Sequence, residues 1–185
     1  MPDQTKVAVL VGSLRKHSFN RKAAHALAAL APQTLKLDII EIGGLPHYNH
    51  DLDEESPPQA WTDFRNAVNA HQAVLFVTPE YNRSVPGVLK NAIDIGSRPY
   101  GKSVWDKKPA AIMSVSPGAI GAFGANHHLR QSLVFLNMPA MQQPEAYVGG
   151  AASLFDDEGN LVEKSQEFFL NFINSFATWV EKNKA

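Results

Sequence analysis

The chain has 185 residues, with 17 Lys and Arg against 18 Asp and Glu, and a formal net charge of −1 at pH 7. This near-neutral charge gives no support for a nucleic-acid or membrane-surface role. The chain contains no cysteine, which excludes disulfides, thiol redox chemistry and cysteine-ligated iron–sulfur clusters. Any electron transfer must therefore depend on a bound organic cofactor.

Length and hydropathy predict one domain outside the membrane. A chain of this size buries enough surface for a core of its own. No apolar run approaches the roughly 20 residues that a transmembrane helix requires. Residues 1–6 also lack the apolar core of a signal peptide. We therefore expect a cytoplasmic protein, not inserted in a membrane, that folds as a single domain over residues 1–185.

Apolar runs predict the strands of one buried sheet. They span residues 6–11, 35–41, 73–78 and 109–115, with a weaker fifth near 139–148. The runs are nearly continuous rather than alternating, so both faces of the strands are expected to be covered. This pattern is typical of a parallel sheet.

Helical periodicity fills the gaps between the strands. The predicted helices span residues 19–31, 58–70, 86–96, 124–136 and about 163–182. Because crossover connections are right-handed, each helix covers one face of the sheet. The alternation predicts an α/β fold, a three-layer sandwich around a parallel sheet. For a sheet of the flavodoxin type, with the order 2-1-3-4-5, the strand order reverses between the first and third strands.

Three loops are expected to meet at one edge of this sheet. Ligands of such folds bind beyond the carboxyl ends of the strands, where the strand order reverses between the first and third strands. The first loop (residues 12–18) and the second loop (79–86) should lie side by side there, with the third loop (116–124) beside them. All three are polar or rich in glycine, so we predict that they form one ligand site.

The first loop has the donors that a terminal phosphate requires. Ser13 and Ser18 offer hydroxyls, Asn20 an amide and Arg15 a charge-assisted bond, while the helix N-terminus adds unpaired N–H groups. Neither the G-x-G-x-x-G fingerprint of dinucleotide sites nor the G-x-x-x-x-G-K-[ST] loop of NTPases is present. A phosphate monoester such as that of FMN fits best. The alternative is that Ser18 only caps the helix and Arg15 is solvated.

The second loop is suited to a flat ring. Prolines at both ends restrict its backbone. Tyr81 offers contact area, and the fixed amides of Glu80, Tyr81 and Asn82 can bond ring heteroatoms; the alternative is a structural surface turn. Arg83 can attract the phosphates of a nicotinamide nucleotide or an anionic acceptor, or it can form a salt bridge in an oligomer interface.

The third loop repeats glycine at residues 118, 121 and 124, just before a predicted helix. Missing side chains let the backbone approach a ligand closely, and N–H groups there can stabilise negative charge on the ring edge. The alternative is a flexible glycine turn.

These loops resemble the NADPH-dependent FMN reductase family. The matching segments are Gly12-Ser13-Leu14-Arg15…Ser18-Phe19-Asn20, Thr78-Pro79-Glu80-Tyr81-Asn82…Ser84-Val85-Pro86-Gly87…Leu89-Lys90-Asn91-Ala92-Ile93-Asp94 and Ser116…Gly118…Gly121…Leu129-Arg130-Gln131. The last segment resembles the chromate/quinone reductase branch. The resemblance implies a flavodoxin-like three-layer sandwich with a five-stranded parallel sheet in the order 2-1-3-4-5. It also implies bound FMN, NADPH or NADH as co-substrate, and a homodimer or homotetramer. It also implies reduction of small-molecule quinones, with chromate and similar oxidants as further acceptors.

By position, the resemblance implies that residues of all three loops bind FMN. They are Ser13, Leu14, Arg15, Ser18, Phe19, Asn20, Pro79, Glu80, Tyr81, Asn82, Arg83 and Ser116. Tyr81 and Arg83 are also the candidates for substrate contact, and no side chain is required as a catalytic acid or base. One departure is visible: Ala122 stands where many relatives have a second glycine, followed by bulky Phe123. The acceptor pocket is therefore expected to differ in shape.

Other interpretations are less favoured. His47, His50 and Asp51 are possible metal ligands, but the sequence does not firmly place three of them together, so we predict no metal site. The acidic run 51–55 is expected to be a solvated loop. A flavodoxin-like electron carrier that docks on partner proteins should have a strongly acidic surface, and the nearly neutral charge of this chain argues against that function. A Rossmann dehydrogenase would use Glu41 but needs the glycine fingerprint. The sequence favours an FMN enzyme in which NAD(P)H and the acceptor react by a ping-pong mechanism.

Overall fold

Parallel strands form the sheet on which the rest of the chain packs. The computed structural model describes residues 4–184. Its strands are β1 (Thr5–Val11), β2 (Leu35–Ile39), β3 (Ala73–Thr78), β4 (Ala110–Val115) and β5 (Ala146–Val148). Their order is β2-β1-β3-β4-β5 and all pairs are parallel. The predicted flavodoxin-like sheet is confirmed, with its order reversing between β1 and β3.

Helices cover both faces of this sheet. They are α1 (Phe19–Leu30), α2 (His50–Glu55), α3 (Gln59–Asn69), α4 (Gly87–Gly96), α5 (Phe123–Phe135) and α6 (Glu163–Asn183). Helices α1 and α6 pack on one face, and α3, α4 and α5 pack on the other. Among residues 4–184, no helix combines the length and the apolar composition needed to cross a membrane.

The core forms two layers because alternate strand residues point to opposite faces. In β1, Val7 and Val9 pack toward α1 and α6, whereas Ala8 and Leu10 pack toward α3, α4 and α5. The aromatic face of α6 belongs to the first layer. Its buried rings are Phe169, Phe172 and Phe176.

Strand β5 is shorter than predicted. It spans Ala146–Val148 instead of 139–148. Pro139 and Pro144 have no backbone N–H to donate to a ladder, so they do not continue a strand. The segment before β5 therefore pairs with β4 only at an isolated bridge through Ala140.

The acidic run 51–55 is helical, so the predicted loop is wrong there. Asn49 caps the short helix α2 by accepting a hydrogen bond from the amide of Asp51 at 3.0 Å. His50 Nε2 lies 3.2 Å from Glu54 Oε1 one turn later. A local cap and an i,i+4 pair stabilise a helix too short to show apolar periodicity.

The sheet brings the first two loops together at the carboxyl ends of β1 and β3. The amide of Gly12 donates to the carbonyl of Val77 at 2.9 Å, so the first loop begins directly beside the strand that leads to the second loop. The third loop leaves the neighbouring strand β4, at the same edge.

Candidate active site

The first loop presents unpaired donors at the N-terminus of α1. Ser18 caps the helix as predicted, because its Oγ accepts from the amide of Arg21 at 3.3 Å. Within residues 4–184, the amides of residues 13–17 and those of Phe19 and Asn20 meet no protein acceptor. These N–H groups and the partial positive charge of the helix end together favour an anion.

Arg15 supplies an exposed positive charge in this loop. Its guanidinium carbon lies 5.9 Å from the centre of the Phe19 ring, and it forms no ion pair within the described chain. Arg21, by contrast, donates to both carboxylate oxygens of Glu41, at 2.7 and 2.8 Å. The hydrogen bond from Arg21 holds the pKa of Glu41 below its usual value. Arg21 is therefore engaged by Glu41, whereas Arg15 has no carboxylate partner within the described chain.

Asn20 links the first loop to the end of β4. Its Nδ2 donates to the carbonyl of Val115 at 3.2 Å. Its Oδ1 is buried and has no partner within the described chain. An unpaired buried acceptor costs about 1–3 kcal/mol. A ligand hydroxyl would satisfy this oxygen, whereas one amide hydrogen is already donated to the end of β4.

The second loop folds as a tight two-residue turn. Tyr81 and Ser84 exchange backbone hydrogen bonds of 3.1 and 3.0 Å. Between them Asn82 and Arg83 have φ of 51° and 64°, the left-handed conformation of a type I′ turn. Asparagine tolerates this conformation, but it is costly for arginine. The turn holds the Tyr81 side chain half-exposed at the predicted cleft.

The Glu80 carboxylate joins the second loop to α5. It is only 10% exposed, and its two oxygens accept from the amide of Ala125 and from Arg83 Nη1, both at 3.1 Å. The N-cap position of α5, Ala122, makes no side-chain hydrogen bond. Glu80 therefore supplies the missing cap from another element. The sequence predicts a ring-binding role for the backbone amide of Glu80, but not this capping role for its carboxylate.

The path of the third loop explains its glycines. Gly121 has φ 59°, and a Cβ there would lie 2.6 Å from the carbonyl oxygen of Tyr147. A Cβ at Gly124 would lie 2.9 Å from the carbonyl oxygen of Arg83. Ala122, the departure noted in the sequence, also adopts a left-handed φ of 59°. The loop is thus a fixed turn packed between β5 and the second loop.

A buried polar network anchors the third loop. Ser114 Oγ lies 2.7 Å from the carbonyl of Gly121, and Asn126 Nδ2 donates to Ser114 Oγ at 3.2 Å. Arg130 Nε donates to Asn126 Oδ1 at 3.0 Å and its Nη1 to the carbonyl of Met141 at 2.9 Å. Sequence reasoning gave Ser114 and Asn126 no role. The available signal was a polar residue at a buried position: Ser114 lies in the apolar strand β4, and Asn126 lies on the buried face of α5.

Ser116, the remaining predicted site residue, stands at the start of the third loop. Its amide donates to the carbonyl of Val148 at 3.0 Å, and its Oγ accepts from the amide of Gly118 at 3.1 Å. The structure therefore brings the predicted residues to one edge of the sheet, on the loops after β1, β3 and β4.

Comparison with known proteins identifies the family. The family model for NADPH-dependent FMN reductases matches residues 5–153. A quinone reductase from Pseudomonas putida is 65% identical over 179 residues, which cover 97% of this chain and 96% of that protein. A 2-hydroxy-1,4-benzoquinone reductase from Burkholderia sp is 47% identical over 180 residues, 97% of this chain and 98% of that protein.

A solved structure agrees with this assignment. The flavoenzyme NAD(P)H:(acceptor) oxidoreductase FerB from Paracoccus denitrificans matches with a TM-score of 0.91 and 42% identity, over 98% of this chain and 100% of its own. The chain belongs to the NADPH-dependent FMN reductase family. FMN is accordingly its cofactor, and a reduced nicotinamide nucleotide is its co-substrate.

Proposed function

We propose that this protein is an FMN-dependent NAD(P)H:quinone oxidoreductase. The observation that carries the proposal is the set of unpaired amides at the N-terminus of α1, placed where the strand order reverses. Such a site is suited to a dianionic phosphate beside a flat ring. The relatives named as quinone reductases support the class of acceptor.

The first loop is proposed to bind the FMN phosphate. Ser13, Ser18 and Arg15 supply donors in addition to the backbone amides. The buried Oδ1 of Asn20 accepts from a hydroxyl, which the ribityl chain of FMN provides. Leu14 and Phe19 supply apolar contact from the same segment.

The second and third loops are proposed to hold the ring. Pro79, Glu80, Tyr81 and Asn82 contribute their backbone, which the tight turn fixes, and Ser116 stands near the polar edge. Rigid amides hold their orientation without reorganisation when negative charge develops on a ring.

FMN, when bound, supplies the redox chemistry by accepting a hydride and passing two electrons to the acceptor. The overall reaction balances as NAD(P)H plus a proton plus quinone, giving NAD(P)⁺ plus hydroquinone. We propose that nicotinamide and acceptor occupy the same cleft in turn, with Tyr81 and Arg83 contacting them. Chromate and similar oxidants are proposed as further acceptors. The Arg83 side chain is 75% exposed, and although its Nη1 pairs with Glu80 at 3.1 Å, its other donors can attract an anion.

A homodimer or homotetramer is also proposed. Tyr100, Val134 and Phe135 are 88%, 81% and 80% exposed, and Tyr100 and Phe135 line one groove near the C-terminal end of α5. A second copy of the chain covering this patch would bury it. A cytoplasmic location and a single domain over 1–185 stay predictions from the sequence.

The direct test is steady-state oxidation of NADPH by the purified, FMN-loaded protein with 1,4-benzoquinone as acceptor. We expect many turnovers, and parallel double-reciprocal lines when both substrates are varied. An electron carrier would oxidise NADPH at no more than trace rates. Intersecting lines would reject the ping-pong mechanism while leaving the activity in place.

Replacing Arg15 by alanine should weaken FMN binding. A charge-assisted hydrogen bond contributes about 1.5–3 kcal/mol, which corresponds to a rise of roughly 10- to 100-fold in the FMN dissociation constant. Fluorescence titration of the FMN-free protein with FMN measures this dissociation constant. Lys16→Ala, which removes a neighbouring cation, is the control and should change the constant far less. Equal FMN affinity in Arg15→Ala and the native protein would remove Arg15 from the phosphate site.

Replacing Arg83 by alanine should raise the KM for NADPH with little change in FMN affinity. Loss of one exposed cation that contacts a phosphate predicts an effect of roughly 3- to 10-fold. Parallel measurements with NADH show whether the contact is to the additional phosphate of NADPH. Lys90→Ala, on the exposed face of α4, is the matched control. Unchanged KM values for both nucleotides and for chromate would exclude Arg83 from the substrate site.

A further inference from the structure

Each of the three loops carries a large apolar side chain that is about half-exposed. Leu14 on the first loop is 55% exposed, Tyr81 on the second 48%, and Ile120 and Phe123 on the third 55% and 49%. Exposing such side chains forgoes the free energy of burying them, and a group of them commonly marks a binding surface. The polar site for the phosphate is thus accompanied by apolar side chains on all three surrounding loops.

Phe123 is the most firmly placed of these side chains. The left-handed residues Gly121 and Ala122 turn the chain immediately before it, and α5 begins at Phe123 itself. The buried hydrogen bonds from Ser114 to the carbonyl of Gly121 and from Asn126 to Ser114 hold the same turn from the core side. The backbone that carries this ring is therefore held at both sides of the residue.

One side of the Phe123 ring is packed against two other rings. Its centre lies 4.2 Å from that of His127 and 5.1 Å from that of Tyr147. The Tyr147 hydroxyl donates to Glu145 Oε1 at 2.7 Å, and it lies 2.8 Å from His127 Nε2. A hydroxyl has one hydrogen, so His127 is the donor in the second bond. This chain of bonds orients both supporting rings.

The phenol of Tyr147 keeps its proton. Burial and then the hydrogen bond to Glu145 raise the pKa of Tyr147 to about 12. The phenol stays neutral, so the packing against Phe123 does not depend on its ionisation. The part of Phe123 that remains exposed is a preformed apolar surface rather than a mobile side chain.

Phe123 also lies beside the second loop. The next residue, Gly124, packs against the carbonyl of Arg83, where a Cβ would lie at 2.9 Å. The amide after that, of Ala125, donates to Glu80 at 3.1 Å. Phe123 therefore flanks the segment that presents Tyr81 and Arg83.

We propose that Phe123 is a specificity-determining residue that contacts the ring of the acceptor and favours quinones with apolar, fused rings over small or polar acceptors. The inference rests on the proposed function, because the occupant is the quinone of that reaction. An offset or edge contact with an aromatic ring adds to the free energy of burial. A polar anion gains nothing from this surface.

The test compares Phe123→Ala with the native protein on three acceptors: 2-methyl-1,4-naphthoquinone, 1,4-benzoquinone and ferricyanide. We expect the KM for the naphthoquinone to rise roughly 3- to 10-fold, with a smaller rise for benzoquinone and no change for ferricyanide. The dissociation constant of the naphthoquinone from the oxidised, nucleotide-free protein should rise by the same factor. The FMN dissociation constant should stay unchanged.

Two variants make the comparison specific. Leu170→Ala removes a similarly exposed apolar side chain from α6 (43% exposed) and should leave all three acceptors unaffected. Phe123→Tyr keeps the ring and should restore the naphthoquinone KM. An equal rise in KM for all three acceptors in Phe123→Ala, or no rise for any of them, overturns the proposal. A change of molecular mass in solution for Phe123→Ala also overturns it, because the ring would then cover another copy of the chain. Failure of the native protein to reduce any quinone rejects the proposed function instead.

Discussion

One constraint is central to the structure: the N-terminus of α1 faces the carboxyl edge of the sheet, and its amides meet no acceptor among residues 4–184. A helix end of this kind is unfavourable unless water or a ligand pairs its donors, and it carries a partial positive charge. In the order 2-1-3-4-5, strand β1 lies between β2 and β3. In the proposed site, a phosphate at the end of β1 would place the rest of its molecule across the neighbouring loop after β3. On this proposal, the position of the ring follows from that of the phosphate.

The chain keeps the ring site rigid by bonds that link elements far apart in sequence. Glu80 caps α5 in place of Ala122, which has no side chain able to do so. Asn126 and Ser114 hold the third loop from inside the fold. The protein thus contributes positioned groups, while the electrons pass through its FMN cofactor. The left-handed conformations of Arg83 and Ala122, which are costly for these residue types, are tolerated at these turns because the surrounding bonds fix them.

Features set by local pattern could be predicted from the sequence. Continuous apolar runs identified the parallel strands, and the cap at Ser18 followed from its place before the alanine-rich helix. Features set by distant partners could not. Nothing near Glu80 indicates that its carboxylate accepts from Ala125, and nothing near Asn20 indicates that its amide is directed at Val115. Helix α2 was missed for a different reason, since its stability comes from a cap rather than from an apolar face.

The most direct measurement compares FMN with riboflavin on the same cofactor-free protein. The two ligands share the ring and the ribityl chain and differ only in the terminal phosphate. Several charge-assisted bonds to that phosphate predict that FMN binds tighter by about two orders of magnitude or more. The difference should shrink at high salt, because an exposed arginine contributes to it. Equal dissociation constants for FMN and riboflavin would contradict the assignment of the α1 N-terminus as the phosphate site.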